Sequence, residues 1–199
     1  MENQKTRIAI AYDFDGTLAR GSLPEHGLLQ DLGIESASFW NEVKEYAEKQ
    51  DADEILTYMC LLIEKAKERG IASYPAVSIN YTTKTQYLFR INKGIFNFFD
   101  NKRINTWIRL DRRPYPFKRI IYIGDGDTDI PAMKMTRYQG GYSIAVFDPF
   151  KWNDLRQQEK IYKLIAEDRV QYVAPAVYSE GSLLDITVKG IIGKIANAL

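Results

Sequence analysis

The sequence predicts an α/β fold, a parallel sheet covered by helices on both faces, and three observations predict it. Four short runs, "RIAIAY" (7–12), "RIIYIG" (119–124), "YSIAVF" (142–147) and "VQYVA" (170–174), have strand length and are almost continuously apolar. Strands of a parallel sheet read this way because both of their faces are covered. Helical segments separate most of the runs, as parallel strands require. The third observation is a helix-rich block between the first run and residue 76, which predicts a helical module inserted after the first strand. The expected division is a core of residues 1–19 and 75–199, with 20–74 as the insert.

The first run stops at "DFDGT", with Asp13 and Asp15 one residue apart. Burying one carboxylate without a partner is costly, and two close together repel. A strand that ends this way implies a cation or a chemical task. Side chains two apart point the same way in extended chain, so Asp13 and Asp15 can face one site.

Within the insert, two helices are predicted, 38–50 ("SFWNEVKEYAEKQ") and 53–69 ("DEILTYMCLLIEKAKER"). Asp51 reads as the N-cap of the second and Gly70 as the residue just past its end. Phe39, Trp40, Val43, Ile55, Leu56, Met59, Leu62 and Ile63 read as packing faces. Cys60 lies in the same apolar stretch and is expected to be a packed core thiol. His26, the single histidine, is expected to be exposed and uninvolved. A fifth run, "AVSINY" (76–81), predicts an edge strand or part of a hairpin.

After it, "NYTTKTQYLFRINKG" opens a helix carrying Lys84 near its start and Lys93 further on. The second core run delivers "GDGDTDIPAM", with Asp125, Asp127 and Asp129. Ligands of open α/β sheets collect beyond the carboxyl ends of the strands, where both acidic loops fall. Gly16, Gly124 and Gly126 allow tight turns and close backbone approach. Carboxylates and carbonyls there make the hard oxygen site that Mg²⁺ prefers. An EF-hand calcium loop is excluded, since counting from Asp125 the sixth residue is Ile130 and the twelfth Thr136. The carboxyl-terminal stretch "LLDITVKGIIGKIANAL" reads as a short amphipathic helix interrupted by glycines.

Composition narrows the function classes. A net charge of +1 on 199 residues gives no electrostatic footprint for nucleic acid or an anionic membrane. Neither partner is expected, and Arg112–Arg113 reads as a solvated loop. A single cysteine excludes an internal disulfide and fits a reducing compartment. No apolar run approaches the roughly 20 residues of a membrane span, and none resembles a signal peptide. The expected location is cytoplasmic.

"DFDGTL" and "GDGDTD" resemble the first and fourth motifs of the haloacid dehalogenase (HAD) superfamily of phosphatases. The order of strand, helical cap, lysine-bearing helix and acidic loop is similar to the phosphoserine-phosphatase-like branch. The resemblance implies a Rossmann-like core and a Mg²⁺-dependent phosphomonoester hydrolase acting through an aspartyl phosphate. By that likeness Asp13 is the nucleophile, and Asp15 the general acid and base whose backbone carbonyl also binds the metal. Asp125 ligates Mg²⁺ with Asp13, Asp129 supports the ligand shell, and Lys84, preferred over Lys93, holds the phosphoryl oxygens. The implied partner is a small phosphorylated metabolite. A phosphotransferase, or a fold that keeps the acidic site without turnover, are the alternatives.

The resemblance lacks one part. The superfamily's serine or threonine motif follows a second core strand, and only "GIASYPAVSINYTT" fills that interval here. Ser73 and Ser78 are the stand-ins. Six residues, 71–76, cannot hold a returning connection, a strand and a helix, since a strand alone takes about five or six. Either a strand–helix unit has been lost or residues of the molecule are missing from this interval. The expectation is a chain break near 71–74 or a direct join that leaves the sheet one strand short.

Overall fold

The structure is a computed structural model and describes residues 6–71, 78–97 and 99–198. In chain order its principal elements are β1 (Ala9–Tyr12), α1 (Leu28–Asp31), α2 (Ser36–Gln50), α3 (Glu54–Glu68), α4 (Thr83–Asn92), α5 (Asn101–Ile104), β2 (Ile120–Gly124), α6 (Ile130–Tyr138), β3 (Tyr142–Phe147), α7 (Leu155–Ala166), β4 (Tyr172–Pro175) and α8 (Leu183–Asn197). The chain divides into two compact units, Met1–Arg20 with Tyr81–Leu199, and Gly21–Asn80. The second of these takes the place of the insert expected at 20–74.

The first unit is an α/β sandwich around one four-stranded parallel sheet in the order β1-β2-β3-β4. Its apolar strands alternate their side chains between two helical layers. Ile120, Tyr122 and Ala145 pack with Leu88 of α4, Ala132 and Met133 of α6 and Leu164 of α7. Ile121, Ile123, Ile144, Val146 and Ala174 face Leu184, Ile191 and Ile195 of α8. This is the Rossmann-like arrangement expected of strands buried on both faces.

β1 departs from that expectation. Ala9 and Ala11 pack into the first layer, but Ile10 is 38 % and Tyr12 42 % exposed. The reason is position: β1 is an edge strand, and the α8 layer draws its residues from β2, β3 and β4 without reaching Ile10 or Tyr12. No strand lies beyond β1 among the described residues. Of the fifth apolar run, residues 78–80 form no strand, and 76–77 lie outside the described residues. The chain break expected near 71–74, or the direct join across 71–76, lies outside the described residues apart from residue 71.

The second unit is helical, built on Leu29, Phe39, Val43 and Leu61 with Trp40, Tyr58 and Leu62 against them. Trp40 meets Phe39 and Tyr58 edge-on, at centroid distances of 5.2 and 5.6 Å. Asp53, not Asp51, caps α3 by accepting from the Leu56 N–H. Asp51 instead ends α2 in a left-handed conformation. Gly70 follows α3 at φ +70°, and the N–H groups of Gly70 and Ile71 return to the carbonyls of Lys67 and Ala66, the bonding of a Schellman end.

Two packing expectations fail on α3. Its buried residues are Thr57, Leu61 and Ala66, with Tyr58 and Leu62 partly buried beside them. At 100° per residue Cys60 falls on the opposite side of the helix from that stripe, so it is exposed rather than a core thiol. Leu56 is likewise 56 % exposed. Arg113 differs too: it is half-buried, donating to Asn92 Oδ1 and the Ile108 carbonyl, while Arg112 is exposed. No described helix is long and apolar enough to cross a membrane.

Candidate functional site

The parallel register sets Tyr12 beside Ile123, and the ladder extends one residue further, the Asp13 N–H donating to the Ile123 carbonyl at 2.8 Å. Both acidic loops therefore leave the sheet from neighbouring strands at the same edge. Carboxylate oxygens of Asp13, Asp125 and Asp129 lie within 4.8 Å of one another.

Local geometry holds each in place. Past β1 the chain turns at Phe14, whose carbonyl accepts from the N–H groups of Leu18 and Ala19, both at 2.9 Å. Gly16 lies in that turn at φ +72°, and a Cβ there would stand 2.4 Å from Asp125 Oδ2. Only glycine fits, because the turn needs a left-handed residue and the Asp125 carboxylate occupies the space. Thr17 Oγ1 donates to Asp125 Oδ1 at 3.4 Å. Beyond β2 a single 3₁₀ turn, Asp127–Asp129, precedes α6, and Asp129 Oδ2 accepts from the Gly126 N–H at 3.0 Å.

Lys84, second residue of α4, reaches into this cluster. Its Nζ lies 2.9 Å from Asp13 Oδ1, 2.7 Å from Asp129 Oδ1 and 3.0 Å from Thr128 Oγ1. Lys93 is directed elsewhere, donating to the carbonyls of Ile104 and Thr106. The cluster thus brings together Asp13, Lys84, Asp125 and Asp129. Asp15 is exposed, forms a bridge with Ala19, and its carboxylate stands outside the cluster, as does that of exposed Asp127. Exposed His26 belongs to the helical unit.

The electrostatics show a surplus of negative charge. Burial and the charge of Asp129 hold the Asp13 carboxyl above its ordinary range, against the opposing pull of Lys84. Burial pushes Asp125 up to about 6; the charge of Lys160 opposes this, and those of Asp129 and Asp13 add to it. Burial works against the Lys84 ammonium, but Asp129 and then Asp13 outweigh it and keep its proton firmly bound. Three carboxylates gather here, and the Lys84 ammonium pairs directly with two of them, Asp13 and Asp129.

A divalent cation fits this imbalance, and the donor set is the hard oxygen kind that Mg²⁺ takes. Asp13, Asp125 and Asp129 each offer a carboxylate oxygen to such an ion, and Asp129 carries the most hydrogen bonds of the three. Asp129 also anchors Lys84.

Sequence reasoning missed Tyr122, whose hydroxyl donates to Asp129 Oδ1 at 2.6 Å. It reads as one more apolar residue of a core strand. The polar tip was the available signal, since a buried phenol needs a hydrogen-bond partner. Thr17 and Thr128 carried no signal of their own.

No protein-family model matches the chain, and no solved structure matches it. An uncharacterized protein of Borreliella burgdorferi is 31 % identical over 121 residues, which is 61 % of this chain and 39 % of that protein. The phenylalanine–tRNA ligase beta subunit of Listeria monocytogenes is 26 % identical over 179 residues, 87 % of this chain and 20 % of the subunit. The matched regions are thus well under half the length of either relative.

Proposed function

We propose that this chain is a Mg²⁺-dependent phosphomonoester hydrolase of the HAD type, acting through an aspartyl phosphate on Asp13. One observation carries the reading: the carboxylate that ends β1 is met by an ammonium at 2.9 Å and by the acidic loop of the adjacent strand. A nucleophilic carboxylate, a cation for the phosphoryl oxygens and a metal-fitting acidic pair are what this chemistry needs in one place.

In this mechanism an Asp13 carboxylate oxygen attacks phosphorus, and the ester P–O bond breaks. Asp15, exposed and two residues along the chain, gives its proton to the leaving oxygen. Water then attacks phosphorus of the aspartyl phosphate, passing a proton to Asp15; the bond from phosphorus to the Asp13 oxygen breaks, releasing phosphate and restoring the Asp13 carboxylate. Lys84 neutralises the transferring group throughout, held between Asp13 and Asp129. A bound Mg²⁺ supplies charge neutralisation between the carboxylates and the phosphate dianion. The substrate is a small phosphorylated metabolite, and a cytoplasmic setting suits the single free cysteine.

A second reading has its own support. No strand bearing a serine or threonine hydroxyl lies beyond β1 among the described residues. Loss of one preorganised donor costs about 10²–10³ in rate in sites of this kind. A weak or inactive phosphate- and metal-binding protein is therefore the alternative. Hydrolysis of p-nitrophenyl phosphate with Mg²⁺, with and without chelator, separates the two. Chelator-sensitive turnover that disappears in Asp13→Asn supports the enzyme; phosphate binding without turnover supports the alternative.

A further inference from the structure

Tyr122 stands in the middle of β2 with its ring in the layer formed by α4, α6 and α7, and is only 4 % exposed. Its hydroxyl donates to Asp129 Oδ1 at 2.6 Å, the same oxygen that receives the Lys84 ammonium at 2.7 Å. The other Asp129 oxygen receives the Gly126 N–H, and the Asp129 side chain is fully buried. An ionised carboxylate has about four lone-pair positions. Here three are filled, from three different segments: the core of β2, the loop after it and the start of α4.

We propose that Tyr122 is a positioning residue for the candidate site: through Asp129 it fixes where Lys84 holds its ammonium against Asp13. The role in catalysis rests on the hydrolase reading above; the geometric role does not. The argument is one of competition. Lys84 divides its charge between Asp129 at 2.7 Å and Asp13 at 2.9 Å. The phenol satisfies part of Asp129's demand for donors, and its dipole stabilises a charge that has no solvent around it. With the hydroxyl removed, Asp129 is free to turn about its Cβ–Cγ bond and draws the ammonium toward itself. Asp13 then loses its partner, and the transferring phosphoryl group loses part of its clamp.

Tyr122→Phe removes the hydroxyl and leaves the ring in the core. The expected result with p-nitrophenyl phosphate and Mg²⁺ is a fall in kcat of about 10–100-fold, the usual scale for losing an orienting partner. KM stays within about threefold, because the ammonium still contacts bound phosphate in the ground state. A second measurement is independent of turnover: ¹⁵N-lysine NMR of the metal-free protein. An ordered Lys84 ammonium gives a slowly exchanging signal in the wild type, assigned by its loss in Lys84→Arg, and that signal broadens or shifts in Tyr122→Phe.

Unchanged kcat in Tyr122→Phe overturns the catalytic role, and an unchanged Lys84 signal overturns the positioning itself. A wild type without turnover whose Lys84 signal nevertheless responds to Tyr122→Phe defeats the hydrolase reading and sustains the positioning. A variant that melts far below the wild type while keeping its Lys84 signal makes Tyr122 merely structural and also overturns the proposal.

Discussion

Lys84 Nζ lies 2.9 Å from Asp13 Oδ1 although the two are 71 positions apart in sequence. The contact joins the start of α4 to the end of the edge strand, and the buried Asp129 completes it from a third segment. Each carboxylate would be costly alone, and each is tolerable because the ammonium is shared. That reciprocity makes the cluster a structural element as well as a candidate reaction centre.

Lys84→Met therefore leaves Asp13 and Asp129 facing each other without the ammonium that pairs with both. Breaking a buried ion pair from one side costs roughly 3–5 kcal/mol, and the partial exposure of Asp13 places the expectation near the lower end, about 3 kcal/mol. Urea unfolding in the presence of a chelator measures it. Added Mg²⁺ should recover part of the loss by supplying charge. A variant as stable as the wild type in chelator would show that the triad carries no such strain.

Asp15 has a different expected signature, because it stands outside the cluster. Asp15→Asn leaves the Asp13–Lys84 contact intact and removes proton transfer. A p-nitrophenyl ester, whose leaving group needs little protonation, should still phosphorylate Asp13 and give a burst of nitrophenol. An alkyl phosphate should lose about 10²–10⁴ in rate, the range of general acid–base catalysis. Equal, small losses on both esters would remove Asp15 from the proton-transfer role.

Much of the sheet was legible because apolar runs of strand length are strong signals. The two acidic loops were legible because carboxylates at strand ends contradict burial. The exposure of Ile10 and Tyr12 was not, since an edge strand and a central one have the same local composition and differ only in what lies beside them. Cys60 misled for a related reason: the stretch around it is apolar almost all round, and only the partner residues reveal which side is buried. Tyr122 was hidden in the opposite way. Its ring satisfies the apolar pattern, and its hydroxyl matters only once the fold brings Asp129 within 2.6 Å.

Gly16 offers a test of the cation site. A Cβ at this residue would sit 2.4 Å from Asp125 Oδ2, so Gly16→Ala must displace that carboxylate. Gly140 has a similar backbone, φ +82°, but a Cβ there would meet nothing within 4 Å. Both variants should suffer the left-handed strain of roughly 1–2 kcal/mol. If Mg²⁺ binds the folded state at the proposed site, it should raise the melting temperature of Gly140→Ala and leave that of Gly16→Ala unchanged. Thermal scans of both variants with and without Mg²⁺ make the comparison. An equal Mg²⁺ response in the two would separate Asp125 from the cation.

The helical unit carries a pH-sensitive contact of its own. Glu25 accepts from the Ser22 N–H at 3.0 Å, and from the Ser36 hydroxyl and the Trp40 indole, both at 2.9 Å. The Ser22 hydrogen bond is the main reason its carboxyl is held below the usual 4.5, with Ser36 and Trp40 adding to the effect against the opposing cost of burial. A carboxyl depressed in the folded state contributes stability that is fully present above pH 4.5. That contribution is lost as pH falls from there through the lower folded value. Trp40 reports on it directly. With Trp107→Phe and Trp152→Phe removing the other two indoles, Trp40 emission should be constant above pH 4.5 and move toward that of a solvated indole below it. In Glu25→Gln there is no carboxyl to protonate, so this step should vanish while other titrations remain. A step of the same size and position in Glu25→Gln would assign the transition to another group.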